Sequence, residues 1–388
     1  MKTTEQLYRT LQAHLDVMPV AFPRSESGIE IDILKRFYTE EEARIALCLS
    51  MLPEPARKIH RRLSRTGYRL PLSSVQGLLE NLAEKKAVNS ALVKKRGRPV
   101  RVYGKLPFAV GLYEFQVDRL TRGFEQEAEA YMNSTFMHEF LREQPRQMRT
   151  IPINEQILPD RAVSHYDSIR RVIELSPGPF ALQNCVCRQG RELLGQQCRQ
   201  TNLKQTCLAL GSAATQVIKE QRGPQLSKQE TLDYLQQAEA EGLVLQAQNT
   251  RQPVFICCCC SCCCAILSRA KKLPNPGKFL QSNYSARIDP AACIGCGLCV
   301  PRCPMDALSL TSSSKSTKGK AMVAPERCIG CGLCVGACPS GAITLRAHKK
   351  HQAPPGSAME MYVRMLYGRF GFLRATGLLI KAGLGMRV

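Results

Sequence analysis

Two stretches near the end of the chain carry one pattern. CIGCGLCVPRCPMDALSL begins at Cys293 and CIGCGLCVGACPSGAITL at Cys328, and each contains C-x₂-C-x₂-C-x₃-C-P. A [4Fe–4S] cubane offers four iron corners, each taking one thiolate. Three close cysteines wrap three corners, and in this type of run the fourth crosses to the other cluster. By that rule cluster I takes Cys293, Cys296, Cys299 and Cys338, and cluster II takes Cys328, Cys331, Cys334 and Cys303. Gly295 and Gly297 let the backbone wrap tightly and aim N–H groups at sulfur. Pro304 and Pro339 turn the chain away after the crossing cysteine. Zinc ribbons use paired C-x₂-C knuckles instead, so two structural zinc sites fit this spacing poorly.

The remaining cysteines are unevenly placed. Of 20, only Cys48 precedes Cys185, and it sits on an apolar segment where a core role is simplest. The chain begins without an apolar stretch behind a basic head, and it has no uncharged apolar run of about 18 residues. A reducing, cytoplasmic setting is therefore expected, with thiols acting as metal ligands rather than disulfides.

A second concentration lies in FICCCCSCCCAIL, from Phe255 to Leu267. Adjacent residues of an extended chain point to opposite faces. Cys257 and Cys259 would share one face, Cys258 and Cys260 the other. A turn at Ser261 would swing Cys262, Cys263 and Cys264 back. Upstream, NCVCRQGRELLGQQCRQTNLKQTC supplies Cys185, Cys187, Cys198 and Cys207, four thiols as a candidate third-cluster set, with Arg188 placed to tune charge or donate a hydrogen bond. That spacing is not one of the established ferredoxin runs. Single buried thiols pack as small hydrophobes, which is a poor account of seven in eight positions.

The first hundred residues carry a different signal. Residues 1–27 read as a helical arm ending near Pro23. Residues 28–108 read as three helices followed by a hairpin. Thr39 to Glu42 forms a capping box, opening an apolar helix through Ile45, Leu49 and Leu52. A second helix bears Arg57, Lys58, Arg61 and Arg62. A third shows Val75, Leu78, Leu79 and Leu82 at the spacing of one buried face and turns Ser74, Gln76, Gly77, Glu80, Asn81 and Glu84 outward. The hairpin KKRGRPVRVYGKLPF contributes Lys94, Lys95, Arg96, Arg98 and Arg101. This order resembles a winged-helix domain, and Gly-Arg-Pro in a basic wing recurs in winged-helix transcription regulators. The resemblance implies DNA contact through the third helix and the wing. The two glutamates on that helix, with no arginine beside them, oppose it.

Beyond the hairpin, residues 109–149 read as a long linking helix, amphipathic over 110–142. Residues 150–280 read as a mainly helical, cysteine-rich middle domain, with a second capping box at Ser227–Glu230. A turn-rich linker then leads to a helical tail within 349–388. Its apolar and basic residues suit docking on the rest of the chain or peripheral contact with a membrane surface. The fold class expected is a multidomain α+β protein.

Residues 285–348 resemble the two-cluster bacterial ferredoxins. That resemblance implies a pseudo-symmetric βαβ repeat whose two clusters sit close together and pass single electrons. Two features depart from the family. TSSSKSTKGK separates the halves, and Arg287, Arg302, Lys315, Lys318, Lys320, Arg327 and Arg346 outnumber the acids. Positive charge near a cluster favours its reduced form. The chain as a whole carries +22, from 54 Lys+Arg against 32 Asp+Glu, which suits an acidic redox partner or nucleic acid.

Residues 28–345 together also resemble a broad group of iron–sulfur proteins of anaerobic bacteria and archaea that combine a winged helix, CVCR with two later cysteines, a CCxCCC run and a two-cluster ferredoxin. The likeness implies iron–sulfur binding without naming a reaction. A typical member has Asn where this chain has Cys258, which sets Cys258 apart from the other candidate ligands. No nucleotide-binding glycine motif occurs, and the six histidines form no cluster in sequence. The expected function is electron transfer, by a carrier or an oxidoreductase subunit holding two cubanes and one or two further clusters. The alternatives are a redox-sensing DNA-binding regulator and an enzyme with a substrate-accessible cluster.

Overall fold

The computed structural model describes residues 3–386 except 96, 154–163 and 312–318. Arg96 of the hairpin, and Lys315 and Lys318 of the inserted segment, thus lie outside the described residues. The chain divides into two compact units, 1–144 with 362–388, and 145–361.

In the first unit, the helix Thr4–Leu15 buries Leu7, Leu11 and Leu15. It is therefore packed into the unit and not a free arm. Helices Ile29–Phe37 and Glu40–Ala46 follow, then β1 (Glu54–Pro55), helices Ala56–Ser64 and Leu72–Glu84, β2 (Asn89–Lys95) and β3 (Arg98–Gly104). The three strands form an antiparallel sheet in the order β1-β3-β2. Thr39 and Glu42 close the capping box, with Glu42 N donating to Thr39 Oγ1 at 3.3 Å and Thr39 N to Glu42 Oε2 at 2.8 Å. The helix they open ends at Ala46 and does not continue through Leu49 and Leu52. The chain tightens into turns at Cys48 and Leu49, and Pro53 disfavours helical geometry in the residue before it. Cys48 is buried in the core.

The expected long helix over 110–142 is broken. A turn at Phe108–Leu112 and another at Glu114–Gln116 precede helices Arg122–Met132 and Thr135–Phe140. Gly111 has extended backbone, and Thr121 Oγ1 starts a new helix by accepting from Phe124 N at 3.3 Å. The bends gather rings that one straight helix would spread out. Phe108 lies 5.1 Å from Tyr131 and 5.0 Å from Phe136 between ring centroids, within the range where aromatic pairs attract. The closing helix Ala358–Gly383 breaks at Gly371, where φ is +72°. In the first unit it buries Leu366 and Ala375, and Arg369 pairs with Asp16 at 2.6 Å. Among the described residues no helix is long and apolar enough to cross a membrane.

The second unit overturns the expectation of a mainly helical middle region. Its frame is a six-stranded antiparallel sheet in the order β4-β8-β9-β6-β5-β7. The strands are β4 (Met148–Thr150), β5 (Phe180–Asn184), β6 (Gln205–Leu210), β7 (Gln225–Leu226), β8 (Val244–Gln248) and β9 (Phe255–Cys259). Short apolar runs look alike in helix and strand, and neighbours in the sheet settle the matter. Leu208, Leu245, Ile256 and Cys258 fill the core on one face. Ala209 packs with Ala181 on the other face, and Val244 with Cys259. The helix Lys228–Ala240 starts at the capping box Ser227–Glu230.

A buried ion pair joins distant segments of this unit. Arg149 meets Asp167 at 2.8 Å, with side chains 3% and 2% exposed. Asp167 also accepts from Asn283 Nδ2 at 3.0 Å and contacts His351 Nε2 at 2.7 Å. Removing one partner of such a pair leaves an uncompensated buried charge. Arg149→Met is expected to destabilise the fold by about 3–5 kcal/mol, read as a lower denaturant midpoint.

The unit closes with β10 (Tyr284–Ile288), the helical turn Cys299–Arg302, β11 (Leu308–Leu310), β12 (Ala321–Val323), the turn Leu333–Gly336 and β13 (Ile343–Ala347). β10 pairs with β13 and β11 with β12, both antiparallel. Thr311 and Lys320 clasp the neck of the inserted segment, with Thr311 N donating to Lys320 O at 2.8 Å. This region shares its compact unit with the six-stranded sheet.

Candidate metal centres

Each half of the duplicated motif places three cysteines on one short loop and turn. Gly295, Gly297, Gly330 and Gly332 all have positive φ, from +63° to +83°, a conformation cheap only for glycine. At Gly330 a Cβ would also lie 2.1 Å from the Tyr284 carbonyl oxygen. The fourth cysteine arrives from the other half. Cys293, Cys296, Cys299 and Cys338 line a cavity of about 290 Å³. Cys303, Cys328, Cys331 and Cys334 line another of about 360 Å³.

Backbone donors face the sulfurs. Ala321 N lies 3.4 Å from Cys293 Sγ, Ala286 N 3.3 Å from Cys328 Sγ and Ala307 N 3.2 Å from Cys303 Sγ. Such donors stabilise thiolates and tune a bound cluster. Burial pushes the Cys331 thiol up to about 12. A bound cation must therefore supply the drive to ionise it, and loading releases protons. Four thiols, an apolar wall and inward N–H groups fit one cubane in each cavity.

The surrounding basic residues have several duties. Arg302 Nη1 donates to Ala240 O at 3.0 Å, at the C-terminus of the helix Lys228–Ala240, where a cation complements the exposed carbonyls. Arg327 Nε donates to Met305 O at 2.9 Å and Arg327 Nη2 to Lys271 O at 3.0 Å. Lys320 Nζ donates to the Cys293 carbonyl. Arg287 and Arg346 are exposed. Three of the seven basic residues read from this region therefore brace the fold.

In the middle region β9 pairs with both β6 and β8, so its side chains alternate between two packed faces. Cys257 and Cys259 fall on one face, Cys258 and Cys260 on the other. The turn at Ser261 then divides the last three. Cys262 and Cys263 join Cys260, and Cys264 returns to the face of Cys257 and Cys259.

Ten thiols consequently form two sets. In the first, Cys185 neighbours Cys187, Cys187 neighbours Cys264, Cys264 neighbours Cys259, Cys259 neighbours Cys257, and Cys257 neighbours Cys207. The Cys207 and Cys259 thiols hold Cys257 down to about 5. Gln183 Nε2 donates to Cys207 Sγ at 3.2 Å. The second set is Cys198, Cys260, Cys262 and Cys263. The grouping of Cys198 with Cys185, Cys187 and Cys207 expected from the sequence does not occur. Cys185 lies at the end of β5 and Cys207 within β6, whereas Cys198 lies on the loop between the helix Val186–Leu193 and β6. That loop delivers Cys198 to the turn after β9.

Arg188 stands between the sets. It is buried, and its guanidinium reaches Cys198 Sγ at 3.0 Å, Cys260 Sγ at 3.6 Å and Thr206 Oγ1 at 3.2 Å. Desolvation alone would lower its pKa, but the charges of Cys260 and Cys185 raise it. Cys258 belongs to neither set. It is 1% exposed against the core that includes Tyr234, and burial pushes its thiol up to about 12. Thr206, Gln183 and Tyr234 went unread in the sequence, because contacts across strands leave no local pattern. Two of the six histidines brace the backbone: His14 contacts Leu49 O at 3.1 Å and His60 contacts Leu70 O at 2.9 Å.

Thiol-lined cavities that each draw one cysteine from the other half of the repeat are the mark of an iron–sulfur protein. Residues 292–342 match the family described as the 4Fe-4S dicluster domain, which supports a 4Fe–4S ferredoxin-like domain there. No curated protein matches the chain.

Proposed function

We propose that this chain is an iron–sulfur electron-transfer protein, with one cubane held by Cys293, Cys296, Cys299 and Cys338, a second by Cys328, Cys331, Cys334 and Cys303, and a further cluster by the set Cys185, Cys187, Cys207, Cys257, Cys259 and Cys264. Cubanes bound in this way supply single-electron redox chemistry. One observation carries the reading: the thiol sets share packing. Cys331 lies in one apolar core with Cys259 and Cys264, joined by Ile329, Leu333 and Met305, with Cys257 and Cys303 against it. That core packs the second cavity directly against the six-thiol set, and electron exchange between them needs such closeness. At the first cavity Cys296 is exposed, flanked by Ile294 and Leu298, which are 55% and 54% exposed. These residues form the edge where a redox partner would dock, and the exposed Arg287 and Arg346 on the β10–β13 pair add positive charge that suits an acidic one.

The test is iron and acid-labile sulfide per chain after anaerobic purification, with Mössbauer spectra of the same sample. The ferredoxin half alone accounts for about eight of each. Twelve or so, or more, is the expected result. A value near eight would remove the six-thiol cluster from the reading.

A second reading, a winged-helix DNA-binding regulator, draws on the first unit. Ser74, Gln76, Gly77, Glu80, Asn81 and Glu84 are all exposed on the helix Leu72–Glu84. Lys94, Lys95, Arg98 and Arg101 are exposed on β2 and β3, as are Arg57, Lys58 and Arg61 nearby in sequence. Arg62 is removed from that face, because it is buried against Glu54 and the Cys48 carbonyl. On this reading duplex DNA is retarded in gels near 50 mM salt and released towards roughly 200 mM, and the shift changes when the clusters are oxidised. A shift indifferent to cluster state, or no shift at all, would reject it.

A further inference from the structure

We propose that Cys198, Cys260, Cys262 and Cys263 bind a single tetrahedral metal ion, zinc or iron, separate from any iron–sulfur cluster. Among the described residues they are the one group of three or more metal-ligating side chains whose donor atoms all lie within 4.8 Å of one another. Cys198 Sγ lies 3.7 Å from both Cys260 Sγ and Cys262 Sγ, and Cys262 Sγ lies 3.7 Å from Cys263 Sγ. A tetrahedron with metal–sulfur bonds of about 2.3 Å has sulfur–sulfur edges of about 3.8 Å. Three of the six edges already sit at that spacing, and all six lie within 4.8 Å.

A cubane needs a wider setting, because each thiolate binds a different iron. The two ferredoxin quartets supply the contrast within this molecule. Neither brings three of its sulfurs within 4.8 Å of one another, and each surrounds a cavity, of about 290 Å³ in the first case and 360 Å³ in the second. The donor type also suits a single ion, since four thiolates in a tetrahedron select zinc or iron.

Loading a divalent ion releases the four thiol protons to solvent and leaves a doubly negative tetrathiolate. Arg188, 3% exposed and in reach of Cys198 and Cys260, is the positioned counter-charge. The ion would staple the loop carrying Cys198 to the turn after β9. Cys264, the next residue on that turn, belongs to the six-thiol set, so the two sets adjoin without sharing a thiol. The proposal does not depend on whether the six thiols hold a cluster.

The test compares the full-length protein, purified anaerobically from medium containing both metals, with the double variant Cys198→Ser, Cys262→Ser. Zinc, iron and sulfide are counted per chain, and the ferredoxin visible and EPR signals check that the variant is folded. The expected result is loss of one zinc or one iron per chain with sulfide unchanged. Metal analysis tells zinc from iron. A parallel loss of iron and sulfide would make the site a cluster and overturn the proposal, as would no loss of metal. Should the variant fail to fold, the unmodified protein decides. Zinc-edge absorption would show one shell of four sulfurs near 2.3 Å without a metal neighbour, or Mössbauer spectra would show a mononuclear tetrahedral iron. Absence of both would overturn the proposal.

Discussion

Replacing Cys303 with serine is expected to cost the cluster held by the second motif and spare that held by the first, although Cys303 belongs to the first motif in sequence. Cys303 lines the cavity of Cys328, Cys331 and Cys334, and Ala307 N donates to its sulfur at 3.2 Å. Cys338→Ser is the reciprocal case, acting on Cys293, Cys296 and Cys299. Each single change should remove about four irons and one reduced-state EPR signal. Changes at one site couple and changes at separate sites add. Cys303→Ser combined with Cys331→Ser should thus lose no more iron than either alone. Cys303→Ser combined with Cys296→Ser should lose about twice as much. The opposite pattern would mean that each motif closes its own cluster and that the crossing is wrong.

The second large effect lies along β9. Cys257→Ser or Cys259→Ser should remove the iron and sulfide held by the six-thiol set, whereas Cys258→Ala should leave both unchanged. Neighbouring residues differ because the sheet pairs β9 on both sides, fixing which face each side chain takes. A one-residue slip would exchange the faces. Cys258→Ala should act through packing, at a cost of about 1 kcal/mol for a small void, read from the denaturant midpoint. Loss of cluster iron in the Cys258 variant, with retention in the Cys257 variant, would invert the assignment of faces.

Local chemistry was legible in the residues themselves. The capping boxes at Thr39 and Ser227 need only side chains three residues apart, and both form. The glycines of the duplicated motif adopt the positive φ that tight wrapping demands. The alternation of Cys257, Cys258, Cys259 and Cys260 follows from the two-residue period of a strand.

Other features depended on partners far away in the chain. The segment 110–142 carries helical periodicity throughout, yet it bends, because Phe108, Tyr131 and Phe136 gain more by meeting than by lying along one rod. Arg302 and Arg327 look like surface charge until the carbonyls of 239–240, 271 and 273 reach them.

By itself the sequence determined that this chain carries paired cubane-type motifs, and that neighbouring thiols of an extended run alternate in face, since both follow from spacing within a few residues. Only the tertiary structure decided that Cys198 leaves Cys185, Cys187 and Cys207 to join Cys260, Cys262 and Cys263. The pairing of β6 with β9 and the course of the loop before β6 set that grouping, and neither is written in the separation of the cysteines along the chain.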